Sequence, residues 1–102
     1  MTRVMVRYRV KPDQVAANEE LVREVYAELE RVRPDGLRYA TFKLEDGVSF
    51  VHLATHEGDR SPLGEIEAFG RFQSGVRERC DEPPVVTKLE EVGSFRFHGE
   101  AS

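Results

Sequence analysis

"LRYATFKLEDGVSFVHLATHE", residues 37–57, decides the fold. Asp46 and Gly47 stand between two runs rich in β-branched and aromatic residues, the pattern of a β-hairpin. A two-residue turn there fixes the register: Phe42 opposite Val51, Thr41 opposite His52, Tyr39 opposite Ala54. One face then carries Ala40, Phe42, Leu44, Val51 and Leu53 and reads as the face turned to the core. The other carries Leu37, Tyr39, Thr41, Lys43, Phe50, His52, Ala54 and His56 and is mixed.

Working outward, "VMVRYRV" (4–10) alternates, with Val4, Val6, Tyr8 and Val10 on one side and Met5, Arg7 and Arg9 on the other, which predicts a strand. "KPD" turns the chain and places Asp13 to cap a helix. Val15, Val22, Val25, Leu29 and Val32 recur at helical spacing across 14–33, and Pro34 forces Arg33 out of helical geometry. Beyond the hairpin, Ser61 and Pro62 predict the start of a second helix. Its buried stripe is Leu63, Ile66, Phe69, Phe72 (or Gln73), Val76 and Cys80, with a break near Gly70. "DEPP" (81–84) ends that helix, and 85–95 is the last strand. The order βαββαβ is a ferredoxin-like α+β fold, a four-stranded antiparallel sheet with two helices on one face. One domain covers 1–98, and 99–102 is a tail. Because both faces of the hairpin carry large apolar groups, the face that the helices leave open needs a partner, and a homodimer supplies it.

The 102 residues suffice for one core, and a net charge of −4 disfavours nucleic acid or an anionic membrane as partner. Cys80 is the only cysteine, which excludes an internal disulfide and fits a reducing, cytoplasmic setting. "MTRVMVRYRV" has neither the apolar centre of a signal peptide nor a membrane span.

Two of the three histidines, His52 and His56, lie four positions apart. On a strand that spacing is roughly 13 Å, too far for two rings to reach one zinc ion at about 2 Å. His98 and Cys80 complete no cluster, so no metal is expected. Two roles stay open for His52. It is either a base beside Tyr39 and Thr41 or a hydrogen-bonded interior residue. Arg71 is a helix-surface charge, while Tyr8, Phe69 and Phe72 are either core residues or the walls of a ligand pocket.

The chain resembles the dimeric α/β-barrel superfamily, within it the antibiotic-biosynthesis-monooxygenase-like group. The resemblance spans 3 to about 95 and rests on "VRYRVKPD", "GLRYATFKLED", "FVHLATHE" and "AFGRFQSGVRERCDEPP". It implies two protomers packed sheet to sheet and a cavity for a small aromatic or polyketide-type molecule. In the cofactor-free oxygenases of that group an Asn-x-x-x-Trp-Glu strand lines the cavity, and it falls on "HLATHE". By that resemblance His52 is the base or the partner of the substrate anion, His56 positions, and Arg71 stabilises the anion. Tyr8, Tyr39, Thr41, Phe69 and Phe72 then contact substrate. The reaction implied is direct oxidation of a phenol or enol by dioxygen, with no cofactor. The alternatives are a non-catalytic binding or accessory protein and a small-ring isomerase. The haem-degrading branch is disfavoured, because its axial histidine falls on Ala68 and its strand-one asparagine on Val6.

Overall fold

A computed structural model describes residues 1–97. The expected boundary at 98/99, the tail 99–102 and His98 lie outside the described residues. Strand β1 (Thr2–Val10) leads through a 3-10 turn (Pro12–Gln14) into α1 (Val15–Val32). The hairpin is β2 (Leu37–Lys43) and β3 (Ser49–His56). A second 3-10 turn (Pro62–Glu65), α2 (Glu67–Ser74), α3 (Val76–Arg79) and β4 (Cys80–Lys88) follow. The sheet order is β2-β3-β1-β4 with every neighbouring pair antiparallel, the ferredoxin-like arrangement, and the helices lie on one face.

The hairpin register is the expected one, with Phe42 opposite Val51, Thr41 opposite His52 and Tyr39 opposite Ala54. The connection is wider than two residues. Gly47 sits at φ +79° after a Leu44–Gly47 turn, and the Asp46 carboxylate accepts from the backbone N–H groups of Val48 and Ser49. The Ser49 hydroxyl also donates to Asp46, and chiefly for that reason the carboxyl is held down at about 2.

The two faces of the hairpin are exchanged relative to expectation. The helices cover the mixed face, so Phe50, His52, Ala54 and His56 are buried, whereas Phe42 is exposed on the open side. The cause is β1. Its pairing sets Val4 against Ala54, Val6 against His52 and Tyr8 against Phe50, joining its apolar row to the histidine row. The opposite row of β1 carries Arg3, Met5, Arg7 and Arg9, and three guanidinium groups cannot be buried without partners. The open face therefore carries Met5, Ala40, Phe42, Val51 and Leu53 among arginines.

Other differences are local. Asp13 falls inside the first 3-10 turn, and the N-cap of α1 is Gln14 with no side-chain cap. Arg33 ends that helix in the left-handed region, its N–H bonded to the Leu29 carbonyl. Val32 is exposed rather than part of the buried stripe. The second helical region breaks at Ile66 and Gly75 instead of Gly70. Ser61 does cap it, accepting from the Leu63 N–H. "DEPP" belongs to β4, where an edge strand tolerates prolines and the pairing to β1 shifts register. That strand ends at Lys88, although Leu89 still donates its N–H to the Arg3 carbonyl.

The bare N-terminus of α2 is satisfied from α1. Both Glu28 carboxylate oxygens accept backbone N–H groups, those of Ala68 at 2.9 Å and Glu67 at 3.1 Å. The Ala68 bond is the main reason that this carboxyl sits below its ordinary range.

Candidate functional site

The covered face of the sheet holds a polar cluster inside an otherwise apolar core. His52 on β3 is 4% exposed, and both its ring nitrogens are engaged. Nε2 lies 2.8 Å from the Tyr8 hydroxyl on β1, and Nδ1 lies 2.5 Å from the Tyr39 hydroxyl on β2. Thr41 Oγ1 is 3.2 Å from Nδ1 and 2.8 Å from the Tyr26 hydroxyl of α1. Antiparallel pairing makes this convergence inevitable. His52 sits directly across from Val6 and Thr41, so side chains from β1 and β2, with Phe72 of α2, close over a single ring.

Aromatic rings wall the cluster. Tyr8, Phe72 and Tyr39 lie 5.3, 5.4 and 5.7 Å from the His52 ring, and Phe69 packs on Phe72 and Tyr39. Tyr26 stacks on Tyr39 at 5.3 Å.

Burial governs the electrostatics. It depresses the His52 pKa to about 4, so the ring is neutral at physiological pH, and it raises Tyr8, Tyr26 and Tyr39 above the ordinary phenol range.

Six residues singled out in the sequence thus meet: His52, Tyr8, Tyr39, Thr41, Phe69 and Phe72. Two stand outside. His56 is buried four positions along β3, its Nδ1 3.4 Å from the Glu57 carbonyl. Arg71 is exposed on α2, where it pairs with Glu24 at 3.6 Å. Asn18 and Arg79 belong to the cluster and were not anticipated. Asn18, fully buried, donates to the Tyr8 hydroxyl at 3.0 Å and accepts from Arg79 Nε at 3.2 Å. Arg79, 8% exposed, also donates to the Phe72 carbonyl at 2.8 Å and lies over the Phe72 ring. A signal for both exists in the sequence. Asn18 occupies the helical stripe of Val15, Val22 and Val25, and Arg79 that of Phe72 and Val76, each a polar residue at a core position.

Two grooves lie outside the His52 cluster, the first of them against its outer members Tyr26 and Tyr39. One of about 400 Å³ is lined by Tyr26, Leu29, Arg33, Leu37 and Tyr39 beside the end of α1. Another of about 700 Å³ lies on the open side of the sheet, against Arg3, Arg38, Leu53, Glu91 and Phe97. His52 lines neither. Among the described residues no three His, Cys, Asp or Glu side chains gather as a metal-ligand set. Ala68 and Val6, where the haem-degrading pattern requires histidine and asparagine, are apolar core or near-core residues.

No family model matches the chain, and no curated protein matches it in sequence. Solved structures do. An antibiotic-biosynthesis-monooxygenase-type protein from Nitrosomonas europaea superposes with TM-score 0.75 at 18% identity, covering 91% of this chain and 100% of that one. A Mycobacterium tuberculosis protein gives 0.69 at 22% identity, over 91% of this chain and 96% of that one. A third structure, described as an antibiotic biosynthesis monooxygenase, gives 0.67 at 20% identity, over 91% and 100%. At such identities the likeness is one of fold: this chain carries a ferredoxin-like βαββαβ fold similar to that of these structures.

Proposed function

We propose that the protein is a homodimeric small-molecule-binding or accessory protein of this fold, in which His52 organises the interior and does not abstract a proton. The observation that carries this reading is the closure of His52, with both ring nitrogens taken by phenols at 4% exposure. The ring is also poorly poised for the chemistry. A base with a pKa of about 4 facing a phenol near ~10 works uphill by roughly 8 kcal/mol. The ligand class, a small aromatic or polyketide-type molecule, is the one that the family resemblance implies. The buried free thiol of Cys80 fits a cytoplasmic setting, and no helix among the described residues is long and apolar enough to cross a membrane.

The second reading is a cofactor-independent monooxygenase-like enzyme. It is favoured by the ring-walled cluster of Tyr8, Tyr39, Phe69 and Phe72 around a histidine and by the names of the similar structures. In it His52 is the base, while His56 and Arg71 must be brought to a substrate from the places they now hold. Dioxygen uptake with a panel of phenols and enols separates the two. The binding reading expects saturable binding without substrate-dependent uptake. Turnover that falls by about 10²–10⁴-fold in His52→Ala establishes the enzyme instead.

The dimer is tested separately. Met5, Ala40, Phe42, Val51 and Leu53 leave an apolar row on the open side, interrupted by arginines. Sedimentation at micromolar concentration is expected to show a dimer, and Leu53→Asp a monomer with unchanged circular dichroism, since a carboxylate desolvated at a self-packed face has no partner. A wild-type monomer overturns the dimer.

A further inference from the structure

Arg79 offers only hydrogen-bond donors, and among the described residues no carboxylate lies within 4.0 Å of it. Its partners are therefore acceptors, the Phe72 carbonyl and Asn18 Oδ1. That contact fixes which way the Asn18 amide points, so Nδ2 must donate to the Tyr8 oxygen. With its oxygen accepting from Asn18, the Tyr8 hydroxyl has one remaining neighbour for its hydrogen, Nε2 of His52 at 2.8 Å. A ring nitrogen that accepts carries no proton, and the other nitrogen must hold it. Nδ1 faces two oxygens able to accept, Tyr39 Oη at 2.5 Å and Thr41 Oγ1 at 3.2 Å. The opposite tautomer would aim two donors at the Tyr8 oxygen and leave the Tyr8 hydrogen without an acceptor inside the core.

We propose that Arg79 and Asn18 are positioning residues which, acting through Tyr8, fix His52 as the tautomer protonated on Nδ1. A cation on α3 thereby sets the direction of every hydrogen bond from Asn18 to Tyr39. His52 keeps no free lone pair, and Tyr39 receives a hydrogen from the ring instead of giving one to it. This assignment depends on the contacts alone and stands apart from the function proposed above.

Long-range ¹H–¹⁵N spectra of the histidine rings, with His52 identified by its loss in His52→Gln, read the tautomer directly. In the full-length protein at neutral pH, Nδ1 is expected to carry the proton. Asn18→Asp keeps the shape but removes the donor, so its carboxylate accepts from both Arg79 and Tyr8. The Tyr8 oxygen then takes the hydrogen of Nε2, and the tautomer reverses. Arg79→Lys, another donor-only cation, is expected to retain the wild-type tautomer. A role confined to packing would leave the tautomer alike in wild type and Asn18→Asp, and that result overturns the proposal. So does a wild-type ring protonated on Nε2, which decides the matter even where a variant fails to fold.

Discussion

Phe72→Ala is expected to destabilise the protein by about 3–5 kcal/mol, the range for emptying an aromatic position in a core. The ring lies 6.0 Å from Tyr8, 5.4 Å from His52 and 6.1 Å from Phe69, and the Arg79 guanidinium stacks on it at 5.2 Å. Its removal opens a void beside the polar cluster and strips a buried cation of its aromatic cover. In a domain of this size the melting temperature is expected to fall by more than about 10 °C. Phe72→Leu, which keeps much of the volume, is expected to recover a large part of the loss. An alanine variant that melts within a few degrees of wild type would show that the ring is not packed as described.

The second large effect comes from acid. His52 is held neutral with a pKa of about 4 against an ordinary value of 6.5, so between these values the unfolded chain binds a proton that the folded chain refuses. Stability rises with pH across that window. The contribution is fully present above about pH 6.5 and is lost as pH falls toward about 4, by roughly 3 kcal/mol in all. Carboxylates add their own acid dependence, and a difference measurement removes it. His52→Gln cannot titrate there, so wild type is expected to lose about 3 kcal/mol more than the variant between pH 7 and 4 in denaturant melts. Asp46, held at about 2, stays ionised in the folded protein while its unfolded form begins to protonate near pH 4, an acid dependence common to both proteins that the difference cancels. Parallel pH profiles for the two proteins would mean that His52 is solvated.

The hairpin register was legible because Asp46 and Gly47 leave few ways to close the turn, and period-two alternation then assigns every side chain to a face. Which face is covered was not legible from the hairpin alone, since both rows contain large apolar residues. That choice is made by β1, whose arginine row cannot go inside, and it needs the Val6–His52 pairing, a contact between strands far apart in sequence. "DEPP" misleads for a similar reason. Two prolines read as a stop, yet at a sheet edge their missing N–H groups cost little.

For the site, the alternation within 37–57 already gathered Tyr39, Thr41 and His52, and the helical stripe supplied Phe69 and Phe72. Asn18 and Arg79 escaped because a stripe is read by its apolar members, and a polar residue at core spacing passes for a gap. Here the gap marks the residues that define the cluster. His56 and Arg71 came from a family pattern rather than from geometry, and neither contacts His52 where it lies.

His52 is sealed, neutral and held between two phenols. Titration of its ring by NMR in the intact protein tests that most directly, since the ring can be followed through pH without knowing any ligand. The resonances are expected to stay those of a neutral ring until the pH falls to about 4, where the buried ring first takes up a proton. A reversible titration near pH 6.5 in the folded protein would contradict the account and return His52 to the role of an accessible base.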